Sequence, residues 1–325
     1  MDKTATNKGK NDLKIVFFGT PDFAVESLKR ILDGGWRVEA VVTAPDKPAG
    51  RGRKLKESDV KKYAKEKGLR ILQPENLKSE TFAEELKKIN PDVGIIVAFR
   101  MLPEKIWSLP RFGTFNLHAS LLPDYRGAAP IHHAIINGEK MTGVTTFFID
   151  NKIDTGEIID QISVPISRDD TFGTMYEKLK TTGAGLVIKT LEKIAKGNIS
   201  TRPQDHEKAL HPAPKLNKEN TKIDWTKPVE KIYDFIRGLS PYPGAWSYIT
   251  INGDNPKRII LYKASFEKQN HQDYPGKTVI DGKTMRISAP GGYIYPLELK
   301  LEGRKKVNVK DFINGLRDKT SIIFK

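Results

Sequence analysis

Between Leu13 and Lys196 short apolar runs alternate with stretches of helical spacing, and beyond Asn220 that alternation stops. Strands are expected at Leu13–Phe18, Arg37–Thr43, Leu69–Leu72, Asp92–Ala98 and Gly113–His118. Helices are expected between them, from Asp22 to Leu32, Ser58 to Lys67 and Ser79 to Ile89, with Ser58 as a cap. Strands alternating with helices of this length predict an α/β fold with a Rossmann-like, doubly wound, mostly parallel sheet. A helix through Ile131–Ile136, strands at Val144–Ile149 and Glu157–Ile166 and a long helix from Thr174 to Lys196 complete this half.

The remaining third reads differently. Residues 201–220 carry Pro203, Pro212 and Pro214 among polar residues and are expected to be a linker. One helix follows, about Pro228 to Leu239, and then short strand candidates at Trp246–Ile251, Arg258–Phe266, Lys277–Ile280, Thr284–Ile287 and Tyr293–Leu299. A short helix near Val309–Leu316 comes last. A small, OB-like antiparallel β-barrel is the economical reading, because closure removes exposed strand edges. The expected organisation is therefore a disordered lead-in at 1–11, a first domain at 12–200, a linker at 201–220 and a barrel domain at 221–325. A chain of 325 residues has room for two domains.

Several classes of chemistry are excluded or left without support. There is no cysteine, so disulfides, thiolate catalysis and Cys-zinc sites are excluded, and a reducing cytoplasm is a compatible setting. The six histidines show no metal-ligand spacing, and no metal is expected. The first strand–helix turn, Gly19-Thr20-Pro21-Asp22, is neither the dinucleotide fingerprint nor a phosphate-binding P-loop. No apolar run is long enough to span a bilayer, and the Lys/Asn-rich start lacks the apolar core of a signal peptide.

Charge is unevenly placed. The net charge is +15; residues 47–70 hold ten basic and three acidic residues, and residues 206–325 hold 22 basic and 13 acidic. The rest of the chain is nearly neutral. Two separated basic regions fit a polyanion touched at two places, although lysine-rich solubility charge gives a similar count.

The segment with chemical content is Asn116-Leu117-His118-Ala119-Ser120-Leu121-Leu122-Pro123, followed by Asp154-Thr155-Gly156. Asn116 and His118 are alternate residues at the carboxyl end of a strand, so their side chains point to the same side, where open α/β sheets place ligands. Asp154 lies on a loop. Taken singly, Asn116 is equally a turn cap, His118 a core histidine and Asp154 the start of an Asx-turn. Together they supply a neutral hydrogen-bond donor, a proton carrier and a charge, the groups that acyl transfer needs.

This string resembles the formyltransferases that use 10-formyltetrahydrofolate, and the resemblance covers nearly the whole chain. It implies that Asn116 and His118 stabilise a tetrahedral oxyanion and that Asp154 orients His118. It implies folate binding by Ser120, Leu121, Leu122 and Pro123 and by Arg100, Met101 and Leu102, which follow Phe99 at a strand end. The basic loop 44–56 resembles the insertion by which members of the family that act on tRNA engage the acceptor stem, with Lys47, Arg51, Arg53, Lys54 and Lys56 as contacts and Arg51 as a wedge. The residues around Ile223-Asp224-Trp225 and Pro241-Tyr242-Pro243-Gly244 resemble the C-terminal domain of the same members. The implied acceptor is methionyl-initiator-tRNA and the implied enzyme a cytoplasmic monomer without metal; the alternative acceptor is an amino sugar. The chain departs from the family pattern at Lys152, where a glycine is common two residues before the aspartate, which implies a different path for that loop. Trp225 and Trp246 are expected in the core, and His132 and His133 in structural or surface roles.

Overall fold

The computed structural model of the chain describes residues 9, 12–49, 54–316 and 321–325. Apart from Gly9, the expected lead-in therefore lies outside the described residues, as do Arg51 and Arg53. The first elements are β1 (Ile15–Gly19), α1 (Asp22–Asp33), β2 (Val38–Val42), β3 (Lys47–Ala49), β4 (Lys54–Lys56), α2 (Asp59–Glu66), β5 (Ile71–Leu72) and α3 (Glu80–Ile89). Next come β6 (Val93–Val97), α4 (Glu104–Trp107), β7 (Thr114–His118), β8 (Arg126–Gly127), α5 (Pro130–Ile136), β9 (Met141–Phe148), β10 (Ile158–Pro165) and α6 (Phe172–Ala195).

Seven of these strands form one sheet in the order β10-β9-β7-β6-β1-β2-β5. Strands β5, β2, β1, β6 and β7 run parallel, and β9 pairs antiparallel with β7. Every residue of β1 and β6 is buried, as parallel strands covered on both faces require. On one face Val16, Phe18, Ala40, Val42 and Ile96 pack with Phe82, Ala83, Leu86 and Ile89 of α3. The serines begin their helices as expected: Ser58 Oγ accepts from Lys61 N–H at 3.0 Å, and Ser79 Oγ from Phe82 N–H at 3.3 Å. Sheet order reverses between β1 and β6, so the carboxyl ends of β6 and the neighbouring β7 border the crevice where such sheets bind ligands.

The compact units do not follow chain order. One comprises residues up to Gly127, Thr142–Val164 and Tyr176–Pro212; the other comprises Ala128–Met141, Pro165–Met175 and Ala213–Lys325. Helix α5 thus belongs with the C-terminal residues. After β11 (Pro212–Ala213), the second unit has α7 (Val229–Gly238), β12 (Ala245–Ile251), β13 (Lys257–Lys268), β14 (Thr278–Asp281), β15 (Thr284–Ala289), β16 (Gly292–Leu301), β17 (Val307–Asn308), α8 (Val309–Asn314) and β18 (Ile322–Phe324). Its sheet order is β14-β15-β16-β13-β12-β18. A bridge between Lys277 and Ile323, and Phe324 N–H donating to Gly276 O at 3.0 Å, bring the two edges together into a nearly closed barrel. Register shifts around Lys263 let the twelve-residue β13 bend around it. Trp225 and Trp246 are both 4% exposed, as core residues should be.

Candidate active site

Strand β7 pairs with β6 on one side and β9 on the other, which fixes its alternation: Thr114, Asn116 and His118 face one way, Phe115 and Leu117 the other. Asn116 is half-buried, and its side-chain amide makes no hydrogen bond to a described residue. His118 is 6% exposed, and its Nε2 lies 2.8 Å from the carbonyl oxygen of Tyr125. A carbonyl only accepts, so Nε2 carries the hydrogen, and Nδ1 is the ring nitrogen left to exchange a proton. That Nδ1 stands 3.7 Å from Asp154 Oδ2, beyond hydrogen-bond reach but within the range of a charge–charge contact. Asp154 Oδ2 itself accepts from Gly127 N–H at 2.9 Å. The direct hydrogen bond that orients the ring is therefore the one Nε2–H donates to a backbone carbonyl, and the carboxylate acts across a gap.

Three residues bordering this region adopt left-handed backbone: Ala98 at φ 48°, Tyr125 at φ 59° and Asp154 at φ 54°. Such conformations are costly for residues other than glycine and persist where the surroundings over-determine them, commonly at functional sites. Lys152 has no such φ. Its N–H donates to Asp150 Oδ1 at 2.9 Å, and the loop's left-handed residue is Asp154 instead.

The turn after β7 is held from beneath. Ser120, fully buried, donates its hydroxyl to Asp124 O at 2.7 Å and accepts at its carbonyl from Thr145 Oγ1 at 2.6 Å. Gln161 Nε2 donates to Leu122 O at 2.8 Å and to Thr145 Oγ1 at 2.9 Å. Leu122, 3% exposed, packs on Phe147 and Ile158, while Leu121 and Pro123 are half-buried. Beyond β6, Met101 is 63% exposed, but Leu102 is 4% exposed and packed in the core with Ile106. Only the backbone of Leu102 is left for a ligand. Arg100 is exposed, donates to Pro74 O at 2.7 Å and stacks over Phe99.

The basic insertion forms a two-stranded antiparallel ribbon, β3 and β4, which places Lys47 directly opposite Lys56. Both lysines are exposed, as is Leu55 beside them at 68%. The cations of α2 are instead engaged: Lys61 pairs with Asp46 at 2.5 Å, and Lys65 with Glu57. The carboxyl of Asp46 is held below its ordinary range, chiefly by its hydrogen bond from Lys61. Sequence reasoning missed the Tyr125 carbonyl, Thr145 and Gln161, none of which carries a motif of its own.

A Rossmann-like sheet with an amide donor, an imidazole and a carboxylate at one strand end defines a class of group-transfer enzyme, and comparisons agree on which. Residues 13–191 match the formyl transferase model and residues 215–317 the formyl transferase C-terminal domain model. The chain belongs to the formyl transferase family. Among curated relatives, the methionyl-tRNA formyltransferase of Phocaeicola vulgatus is 51% identical over 314 residues, covering 95% of this chain and 97% of that one. That of Bacteroides fragilis is 48% identical, covering 94% and 96%. Among solved structures, the N-formyltransferase of Helicobacter canadensis in complex with folinic acid and dTDP-3-aminofucose shares the fold, with a TM-score of 0.65 and 24% identity over 87% of this chain and 98% of that one.

Proposed function

We propose that this chain transfers the formyl group of 10-formyltetrahydrofolate to the α-amine of methionyl-initiator-tRNA, acting as a metal-independent monomer in the cytoplasm. The observation that carries the reading is the Asn116 amide, unengaged among the described residues, on the same side of β7 as His118 of the His118–Asp154 pair, in a chain whose curated relatives are methionyl-tRNA formyltransferases over nearly their whole length. The neutral amine attacks the formyl carbon; a C–N bond forms and the carbonyl electrons move onto oxygen. Asn116 N–H and protonated His118 Nδ1 donate to that oxyanion. Collapse breaks the bond to N10, and the proton lost by the amine reaches N10, with a water near Asp154 as relay. Asp154 Oδ2 faces His118 Nδ1 across 3.7 Å, on the side of the ring from which the proton is donated. The folate lies against the turn 120–123 and the stretch 100–102, where backbone groups and the exposed apolar side chain of Met101 are available to it. The ribbon β3–β4 and the barrel residues 221–325 take the tRNA, and a phosphate between Lys47 and Lys56 would relieve their direct opposition.

Single-turnover formylation separates these roles from binding. Asn116→Ala should lower the rate by about 10²–10³-fold, with folate affinity nearly unchanged. His118→Ala and Asp154→Ala should be comparably severe, and the double variant little worse than either, because the two act as a unit. A near-parental rate in any of the three removes that residue from the mechanism.

A further inference from the structure

The prolines around residues 201–212 suggest a passive connection, yet side chains there grip the site at two points. Gln204 is 6% exposed. Its Nε2 donates to Asp154 O at 2.9 Å and to Gly156 O at 2.8 Å, while its Oε1 accepts from Arg126 Nε at 3.1 Å and Nη2 at 2.5 Å. Arg126 Nη2 also donates to His206 Nδ1 at 3.0 Å. Further along, His211 N–H donates to Asp124 Oδ1 at 2.6 Å and its Nδ1 to Oδ2 at 2.9 Å. Its ring stacks on Tyr125 at 5.3 Å and 14°, and its carbonyl accepts from Tyr125 N–H at 2.8 Å.

These two anchors fall on Asp154 and Tyr125, both in left-handed backbone. One carries the carboxylate, and the other carries the carbonyl that holds His118 Nε2. A bulky Tyr keeps that conformation only when its surroundings hold it, and although an Asp adopts it more readily, its exact path is still set by its backbone partners. The strap thus reaches both halves of the His118–Asp154 pair from one side of the chain.

We propose that Gln204 and His211 are positioning residues: they hold the backbone of Asp154 and Tyr125 left-handed and so set the 3.7 Å separation of His118 and Asp154, acting on turnover rather than on substrate binding. This rests on the reading of His118 and Asp154 as the reacting pair. Gln204 is suited to the task because an amide both donates to two carbonyls and accepts from a guanidinium. A carboxylate of the same shape keeps the second function and loses the first.

The test is steady-state formylation of methionyl-tRNA by the full chain with Gln204→Leu, Gln204→Glu, His211→Ala and His211→Asn, with melting temperatures recorded for each. Both Gln204 variants should lose about 10–10²-fold in kcat, the scale of a misplaced reacting group, with KM for either substrate within about twofold. His211→Asn, whose amide can still donate to Asp124, should regain most of the kcat that His211→Ala loses. Parental kcat in Gln204→Glu, or losses confined to KM, would overturn the proposal. If the Gln204 variants do not fold, the His211 pair decides: equal kcat in His211→Ala and His211→Asn would overturn it. His118→Ala and Asp154→Ala run alongside. Undiminished turnover in those would instead sink the reading of the reacting pair.

Discussion

Gly156 has no room for a side chain: a Cβ there would stand 1.7 Å from the carbonyl oxygen of Phe148 and 2.9 Å from its carbon. Both atoms belong to backbone at the base of the loop that bears Asp154, so the loop itself must yield. Gly156→Ala should therefore lower the melting temperature, at a cost of about 1–3 kcal/mol as for other overpacked positions, and reduce turnover in the fraction that stays folded. Parental activity at parental stability would show that the loop tolerates displacement. At this scale the sequence was informative where identity matters and silent where it does not. Asn116 and His118 stood out because a donor and an imidazole on alternate residues of one strand are chemically specific. The Tyr125 carbonyl did not, since any residue offers one. Gln204, fifty positions from Asp154, carries no spacing signal at all.

Helix α5 shows the same contrast one level up. Its pattern was readable, but not the environment of His132, which is 9% exposed, stacked on Phe172 at 3.7 Å and donating from Nδ1–H to Gly238 O at 2.8 Å. Burial pulls its pKa down to about 4 from 6.5. The unfolded chain then binds a proton between pH 6.5 and 4 that the folded chain refuses, so stability falls as pH falls through that window. The difference is worth of order 3 kcal/mol when complete. Denaturation at pH 7 and pH 4.5 should reveal the loss, and His132→Asn should flatten it; an unchanged slope in that variant would assign the acid sensitivity elsewhere. Other elements went unread because they are short. Strand β18 has three residues and closes the barrel only through distant partners, and β3 and β4 are short strands rich in Lys, Pro and Ala that pattern as a loop. By contrast, the parallel strands announced themselves, because a strand buried on both faces must be apolar throughout.

For the whole molecule, the charge map and the fold bear on one another. The basic count over residues 47–70 overstates what is free, because Lys61, Lys65 and Arg70 are engaged by Asp46, Glu57 and Glu85. Lys47 and Lys56, opposed on the ribbon, are better placed for phosphates. Affinity for tRNA should fall with salt by roughly 0.7–0.9 log units per contacted phosphate per decade. Lys47→Ser with Lys56→Ser should reduce that slope by about one to two units without harming stability, and an unaltered slope would take the ribbon out of the interface. Sequence could place both basic regions but not the division of the chain, since α5 and residues 165–175 join the C-terminal unit across long stretches of sequence. The most direct test of the account is acceptor choice: formyl transfer from 10-formyltetrahydrofolate, in the presence of chelator, to methionyl-initiator-tRNA, methionyl-elongator-tRNA and a nucleotide-linked amino sugar at equal concentration. The account predicts rapid formylation of the initiator tRNA, much slower transfer to the elongator and none to the sugar. Preferential formylation of the sugar, or no transfer to either tRNA, would contradict it.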